Sequence, residues 1–394
     1  MFTQRFVWTL ENNALAQALS ERRAAGAPVI DLTESNPARV GFAWEPEVLG
    51  AMMASASNCH HEADPRGLPL ARRAVADYYR GHGVAVAPEQ IHLAASTSEG
   101  YGWLLKLLTD PGDNVLVPVP SYPLLGFLAA LECVSVVPYP LSHDGAGGGW
   151  HVDVRALEDA VTPRTRAIFC VTPNNPTGSV LSAADREALR CVALRHGLAL
   201  VVDEVFLDFG ADGRPVASWA GETRAPLFVL SGLSKVALLP QLKLGWVVTA
   251  GPPQWRGDAL ARLDFVADTY LSVNAPVQNA AAALLGRAPV LRAALLRRIG
   301  ANELALRAWC AAGGHGVRVP ARQAGWHALV ALPRGVDEER LALDLARRDG
   351  VGVHPGYFYD IPGCMGPHCV VSLIVREAEL AVALRALDAA LRRH

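Results

Sequence analysis

Short apolar runs that alternate with helical patterns dominate the middle of this 394-residue chain. A strand that is apolar on both faces must be covered on both sides, and strands separated by helices usually run parallel. The pattern therefore predicts an α/β fold in which a three-layer large domain is built on a mostly parallel sheet. The predicted strands are Ile91–Ala94, Val115–Val119, Arg166–Thr172, Leu198–Phe206, Leu227–Leu230 and Gly245–Ala250, with helices over Glu99–Leu108 and Ala183–His196.

The rest of the chain predicts a second, smaller unit. From about Pro289 the sequence is rich in Ala, Leu and Arg and is helical in pattern, with strand-like interruptions at Ala328–Leu332 and Cys369–Ile374. This mixture is typical of an α+β domain. The first forty residues are too few to form a core of their own, so we expect them to pack on it. The predicted division is a large domain over 45–285 and a small domain over 1–44 and 286–394.

Composition excludes several classes of protein. A formal net charge of −2 and a pI of about 6.6 exclude a chain-wide basic surface for nucleic acid. We also expect no membrane partner, because no stretch of 18 residues lacks both charges and helix-breaking residues, and no targeting segment, because Arg5 and Glu11 interrupt the start. Seven scattered cysteines, an odd number, favour a cytoplasmic protein. Cys364, His368 and Cys369 lack a second ligand pair, so we expect no metal site.

Lys235 is one of only three lysines among the 36 basic residues. It follows the predicted strand Leu227–Leu230, and open α/β sheets bind ligands at the carboxyl ends of their strands. A desolvated lysine loses its proton readily and can form a Schiff base. Lys235 is therefore a candidate catalytic residue, although a surface lysine after a strand would give the same pattern.

Asp203 ends a run that would otherwise be fully buried. A carboxylate at that depth needs a cationic partner. The pyridinium nitrogen of pyridoxal phosphate would be one such partner. An arginine, or a role as a cap for the next element, would explain the residue equally well.

A cluster of hydroxyl groups lies between a predicted strand and a predicted helix, at Ser96, Thr97 and Ser98. Ser96 and Glu99 have the spacing of a capping box. Hydroxyl groups and free N–H groups at a helix N-terminus can bind a phosphate. A plain capped helix is the alternative interpretation.

Asn175 lies in the turn 173–178 after a predicted strand and could present its amide as a fixed hydrogen-bond donor. Its motif Asn-Asn-Pro-Thr-Gly is followed by Asp-Glu-Val-Phe at 203–206 and by Ser-Lys at 234–235, with Leu-Gly-Trp downstream. In this order and spacing the motifs resemble those of fold-type I pyridoxal-phosphate enzymes of the class I/II aminotransferase family. The resemblance covers nearly the whole chain from about Asp31.

The resemblance implies pyridoxal 5′-phosphate as the cofactor and gives roles to individual residues. Lys235 would hold the cofactor covalently and then move a proton at the substrate α-carbon, while Asp203 would pair with the pyridine nitrogen. Asn175 would hydrogen-bond the cofactor's 3′-oxygen, and Tyr122 would stack on its ring. The phosphate ligands implied are Ser96, Thr97, Ser98, Ser231, Ser234 and Lys243.

The sequence departs from the family's pattern at four places. Lys243 stands where the family usually has an arginine, so the charge is kept without the bidentate geometry. Phe206 replaces a tyrosine that touches the 3′-oxygen, and a tyrosine that reaches across the dimer is replaced near His61. The Arg-x-Ser motif that binds the substrate carboxylate reads Val-Val-Ser at 370–372.

Other residues must therefore bind the substrate. The candidates for the missing guanidinium are Arg39, Arg322 and Arg376. Ser35 and Asn36 are candidate substrate contacts, because the segment Glu-Ser-Asn-Pro at 34–37 resembles one whose backbone faces the substrate in the family.

The function implied is transfer of an amino group between an amino acid and a 2-oxo acid by a ping-pong mechanism. A pyridoxal-phosphate lyase or cyclase is the alternative, since the same lysine and aspartate would serve it. A nicotinamide dehydrogenase is disfavoured because no Gly-x-Gly-x-x-Gly follows a strand, and a non-catalytic protein because Lys235 is intact. The resemblance also implies a homodimer with shared active sites, its interface near His61 and 270–278, and cis bonds at Asn175–Pro176 and Val119–Pro120.

Overall fold

The computed structural model describes residues 2–5, 13–145, 149–271, 273–313 and 316–394. The strands are β1 (Ile30–Asp31), β2 (Ile91–Ala94), β3 (Asn114–Val119), β4 (Ser135–His143), β5 (Trp150–Val152), β6 (Thr165–Val171), β7 (Ala199–Asp203), β8 (Leu227–Gly232), β9 (Gly245–Ala250), β10 (His327–Ala331), β11 (Val351–Gly352), β12 (His354–Pro355) and β13 (His368–Ser372). The α-helices are α1 (Ala14–Ala24), α2 (Pro46–Met53), α3 (Pro69–Gly81), α4 (Thr97–Leu108), α5 (Leu124–Leu131), α6 (Val154–Asp159), α7 (Ala183–His196), α8 (Leu233–Val236), α9 (Pro253–Asp268), α10 (Ala275–Ala312), α11 (Glu338–Asp344) and α12 (Glu377–Leu391).

One eight-stranded sheet organises the larger part of the chain, in the order β2-β9-β8-β7-β6-β3-β4-β5. The neighbours from β8 to β4 are all parallel. β9 is antiparallel to both β8 and β2, and β5 is antiparallel to β4. The predicted fold class, a mostly parallel sheet in an α/β architecture, is confirmed.

The sheet is covered on both faces because its strands are apolar on both faces. Along β7, Leu200 and Val202 belong to one hydrophobic cluster, which includes residues of α3, α7 and α10. Val201, between them, belongs to another cluster with residues of α4, α5 and α9. Successive side chains of a strand point to opposite faces, so each strand contributes to two cores and the sheet forms the middle of three layers.

β7 ends earlier than its sequence suggests. The apolar run predicted a strand to Phe206, whereas the strand stops at Asp203. The Oδ1 atom of Asp203 accepts a hydrogen bond from the Val205 N–H at 2.9 Å. Aspartate side chains that bind the backbone two residues on make turns, and this turn ends the strand.

The C-terminal part contains the three-stranded antiparallel sheet β10-β13-β12. β1 pairs with β11 in parallel, so the N-terminal segment is hydrogen-bonded to this part. The proposed boundary at 285/286 falls inside α10, a helix of 38 residues. We propose that α10 belongs to both units.

Among the described helices, none has the length and apolarity needed to cross a membrane.

Three prolines follow cis peptide bonds, at Val119–Pro120, Thr172–Pro173 and Asn175–Pro176. The first and third confirm the sequence predictions. The second was not predicted.

Candidate active site

A cavity of about 370 Å³ opens at the carboxyl edge of the large sheet. β2, β6, β7 and β8 all end at this edge, as the parallel topology requires. Its size is within the range of small-molecule sites. Of the residues singled out from the sequence, the cavity is lined by Ser35, Thr97, Tyr122, Asn175, Asp203, Phe206, Ser234 and Lys235.

Asp203 is the only acidic side chain that lines the cavity within the described residues, and it is 8% exposed. Its Oδ2 atom accepts a hydrogen bond from the Tyr101 hydroxyl at 2.7 Å, and its Oδ1 atom accepts from the Val205 N–H. Burial raises the pKa of Asp203, while these two donors and Lys235 oppose the rise. The carboxylate is thus oriented by neutral donors and is available to a cation in the cavity.

Lys235 lies in the short helix α8, directly after β8. Its Nζ atom is 3.4 Å from the Ser35 hydroxyl and 4.5 Å from the centre of the Trp326 ring. Burial lowers the pKa of Lys235 to about 8, although Asp203 and Glu34 both act to raise it. The apolar walls therefore make a neutral amine accessible at physiological pH.

The chemical reactivity of Lys235 is expected to follow this pKa. A neutral amine is the nucleophile, and a pKa of about 8 leaves about a tenth of Lys235 neutral at pH 7. In the cofactor-free protein, acetylation of Lys235 is expected to rise with pH and to be half-maximal near pH 8. The measurement is peptide mapping after brief treatment with acetic anhydride. Lys106 is the control, because its hydrogen bond to Glu132 raises its pKa against the effect of burial. Half-maximal reaction of Lys235 above pH 10 would contradict the prediction.

The hydroxyl cluster lies at the N-terminus of α4, as predicted. Ser96 is the N-cap, and its hydroxyl accepts from the Glu99 N–H at 3.1 Å. The capping box is shifted by one residue, because the Glu99 carboxylate accepts from the N–H of Ala95 rather than that of Ser96. A Cβ on Gly245 would lie 2.8 Å from the carbonyl carbon of Ser96. Only glycine therefore lets β9 approach this helix terminus so closely.

Two buried polar atoms of the candidate cofactor residues have no hydrogen-bond partner in the described part of the chain. They are the Asn175 Oδ1 atom, on the cavity wall, and the Ser231 hydroxyl, in β8. An unpaired buried polar atom costs about 1–3 kcal/mol, and the Asn175 atom on the cavity wall is placed where a bound ligand could remove that cost. The amide of Asn175 can present either its oxygen or its nitrogen by a half-turn. These atoms, with Lys235 and Asp203, fit the aldehyde, ring nitrogen and ring oxygen of pyridoxal phosphate.

Lys243 and the remaining hydroxyl residues do not line the cavity. Lys243 is exposed, in the left-handed region at φ 56°, two residues before Gly245. Among the described residues, no carboxylate pairs with Lys243, which excludes a surface ion pair as its role within that part of the chain. Ser96, Ser98 and Ser231 also lie outside the cavity lining, although Ser96 and Ser98 flank Thr97, which lines it.

The structure gives the candidate arginines other partners. Arg322 pairs with Glu303 and donates to the Gly325 carbonyl at 2.6 Å. The exposed Arg39 pairs with Glu34. None of these lines the cavity.

Arg376 does not line the cavity either, because it stands at the start of α12 and pairs with Glu379 at 3.5 Å. Asn36 also lies outside the lining, and its side chain accepts from the Ala38 N–H at the start of a 3₁₀ turn. Ser35 is the one substrate candidate that the structure brings into the cavity, where it contacts Lys235.

Four titratable residues of the cavity lining, Tyr101, His327, His354 and Tyr359, were missed by sequence reasoning. Tyr101 carried a usable signal, because it lies one helical turn after Thr97 and so faces the same side of α4. His327, His354 and Tyr359 carried none, because they come from the small sheet and its loops, far along the chain. His354 and Tyr359 contact each other, with 3.1 Å between the His354 Nδ1 atom and the Tyr359 hydroxyl.

A lysine of lowered pKa and a buried carboxylate, facing one cavity at the carboxyl edge of this sheet, define a fold-type I pyridoxal-phosphate enzyme. The sequence matches the family described as aminotransferase class I and II over residues 27–386. The chain belongs to this family, and pyridoxal 5′-phosphate is its cofactor.

Individual relatives support the same assignment. The chain is 30% identical over 265 residues to glutamate-pyruvate aminotransferase AlaA of Escherichia coli, covering 66% of this chain and 64% of that protein. It is 28% identical over 278 residues to alanine aminotransferase of Mycobacterium tuberculosis, covering 68% and 63%. The matched part thus spans just under two thirds of each relative. The structure of alanine aminotransferase from Pyrococcus furiosus matches the whole of both chains with a TM-score of 0.89 at 22% identity, which shows a shared fold.

Proposed function

We propose that this protein is an aminotransferase that moves an amino group from an amino acid to a 2-oxo acid by a ping-pong mechanism. The observation that carries the proposal is that one cavity is lined both by Lys235, an amine of lowered pKa, and by Asp203, a buried carboxylate. The family and the names of the relatives support it.

The bound cofactor would supply an electron sink that stabilises negative charge at the substrate α-carbon. Lys235 would hold the cofactor covalently and, once released, accept the proton from the α-carbon at its Nζ atom. Asp203 would keep the ring nitrogen protonated, with Tyr101 fixing the orientation of the carboxylate. Asn175 would donate to the ring oxygen, and Tyr122, 48% exposed at the cavity mouth, would cover the ring.

The half-reaction tests this proposal. The cofactor-loaded enzyme is expected to lose its visible absorbance when an amino donor is added alone, and to regain it with a 2-oxo acid. A lyase or cyclase would release its product without this storage of the amino group. The lack of an arginine in the described cavity lining favours that alternative, so recovery of the absorbance by a 2-oxo acid is the deciding result.

We propose that the cofactor phosphate binds at the N-terminus of α4, with Thr97 and Ser234 lining the cavity and with Ser96, Ser98, Ser231 and Lys243 beside it. The backbone N–H groups of a helix N-terminus favour an anion. The close contact of Gly245 with Ser96 and Thr97 brings the chain that bears Lys243 to this terminus. A phosphate of nearly two negative charges needs a cation as well, and Lys243 is an exposed lysine without a carboxylate partner in the described structure.

Lys243→Ala is therefore expected to weaken cofactor retention about tenfold or more while leaving the rate at saturating cofactor within a few-fold. Loss of one charge-assisted contact to the phosphate accounts for the effect. The measurement is the cofactor dissociation constant by absorbance. Lys106→Ala serves as the control, because it removes a lysine that lies outside the cavity lining and pairs with Glu132. An unchanged constant for Lys243→Ala would remove Lys243 from the site.

We propose a homodimer with shared active sites. The two segments expected at the interface meet in the structure, since His61, Leu271, Val273 and Gln278 line one surface cavity of about 370 Å³. Residue 272 lies outside the described residues. Leu271 is 66% exposed and Tyr270 42% exposed, so two adjacent large apolar side chains are available to a partner beside this cavity.

Leu271→Glu is expected to shift the protein toward a monomer, because it places a charge in an apolar contact. Light scattering as a function of concentration measures the proportion of dimer. The control is Phe265→Glu, which adds a charge at another exposed apolar side chain (79% exposed) and shows whether any added charge shifts the protein toward a monomer. A wild-type protein that is monomeric and fully active at nanomolar concentration would overturn the dimer.

A cytoplasmic location is also proposed, because all seven cysteines are free thiols. Cell fractionation tests this location.

A further inference from the structure

One face of the small sheet forms the wall of the active-site cavity. β13 is the central strand, with β10 and β12 on its two sides. His327 is the cross-strand partner of Ser372, and His354 is the partner of Val370. Cross-strand partners project to the same face, as do residues two apart in a strand. The two histidines therefore stand on the same face as Val370, on the strands that flank it, and both line the cavity.

This wall has no cation for a substrate carboxylate. No arginine lines the cavity in the described part of the chain, and Val370 is 1% exposed within an apolar cluster. Lys235 is committed to the cofactor in the proposed function. The groups that this chain itself offers to the carboxylate of an amino acid are therefore neutral hydrogen-bond donors of the cavity lining.

His327 is a donor of the cavity lining for which the described residues provide no hydrogen-bond partner. The residue is 6% exposed, and its imidazole makes no hydrogen bond with any of the described residues. Its contacts are ring packing against Trp326 and Phe206, with ring centres 6.4 and 6.3 Å away. By contrast, the His354 imidazole already has the Tyr359 hydroxyl at 3.1 Å. A buried imidazole without a partner carries a desolvation cost that a ligand in the cavity would remove.

The charged state of His327 is set by its surroundings. Burial, together with the neighbouring Lys235, His354 and Arg322, lowers the pKa of His327 to about 3. The imidazole is therefore neutral at physiological pH and offers one N–H donor and one acceptor. A neutral donor binds a carboxylate more weakly than a guanidinium does, and it also tolerates an uncharged group.

We propose that His327 is a substrate-binding residue whose imidazole N–H donates a hydrogen bond to the carboxylate of the amino donor. The inference rests on the proposed aminotransferase function. It deepens that function by stating which group distinguishes an amino acid from an amine or amide of the same size.

The test compares L-alanine with L-alaninamide, which differ at the carboxylate alone, as donors in the half-reaction of the cofactor-loaded enzyme. In His327→Leu, kcat/KM for L-alanine is expected to fall about 10- to 100-fold, the effect of losing one hydrogen bond to a charged group. The value for L-alaninamide should change less than about threefold. His327→Gln keeps an N–H donor and is expected to recover part of the loss, and His196→Leu removes an exposed imidazole elsewhere as the matched control.

A second measurement does not depend on turnover. Propionate carries the carboxylate without an amino group, and its dissociation constant from the loaded enzyme is expected to rise about tenfold or more in His327→Leu. Equal losses for L-alanine and L-alaninamide, or an unchanged propionate constant, would overturn the role of His327. Failure of the wild-type enzyme to react with any donor would instead overturn the proposed function, so the two failures are distinct.

Discussion

Lys235→Ala is expected to reduce the half-reaction rate by about 10⁴-fold, because it removes both the covalent anchor of the cofactor and the group that moves the proton. Proton transfer by a positioned side chain alone contributes about 10²–10⁴ in rate. The Nζ atom is well placed for this task, in a cavity that lowers its pKa to about 8. Stopped-flow absorbance with an amino donor measures the rate.

Three further measurements make the result specific to Lys235. Borohydride treatment of the wild-type enzyme is expected to fix the cofactor on the peptide that contains Lys235, and to fix none in the variant. Added methylamine is expected to restore part of the activity of Lys235→Ala, since a small amine can enter the cavity and accept the proton. Lys106→Ala, which changes a lysine paired with Glu132, should keep its full rate. A label on another residue would contradict the assignment.

The parts of the fold that sequence patterns predicted well are those fixed by local chemistry. β2, β9 and α7 have the predicted bounds. The helix begins where Ser182 and Asp185 form a reciprocal capping box and ends at Gly197 in the left-handed conformation, both of which are local signals. The end of β7 was wrong by three residues, because the turn made by Asp203 competes with an apolar run that continues to Phe206.

The substrate wall could not be predicted, because it depends on contacts far apart in sequence. His327 and His354 reach the cavity through the register of the small sheet and its packing against the large one. The arginine candidates were chosen by charge alone, and the structure pairs each with a nearby carboxylate. For Arg376 the pairing was foreseeable, since Glu379 lies three residues on at the start of a helix.

Tyr101→Phe distinguishes the contribution of the orientation of the Asp203 carboxylate to the rate from the contribution of its negative charge. The variant removes the 2.7 Å hydrogen bond from the hydroxyl but leaves the carboxylate and its bond from the Val205 N–H. A loss of about tenfold in rate is expected, the lower end of the effect of a hydrogen bond to a charged group. Tyr101 thus provides the matched comparison for a change at Asp203 itself.

Asp203→Asn is expected to lower the half-reaction rate by about 10²–10³, the usual effect of removing one electrostatic partner from a water-excluded site. Asparagine has nearly the shape of aspartate, so its oxygen can still accept from the Val205 N–H while its NH2 group donates to the Tyr101 hydroxyl, and the fold should be unchanged. The melting temperature of the cofactor-free protein should not fall, because burial disfavours the carboxylate that the substitution removes. A rate within a few-fold of wild type, together with an unchanged melting temperature, would show that the carboxylate does not hold the proton on the cofactor ring. A loss of rate greater than that of Tyr101→Phe at equal stability would assign the difference to the negative charge.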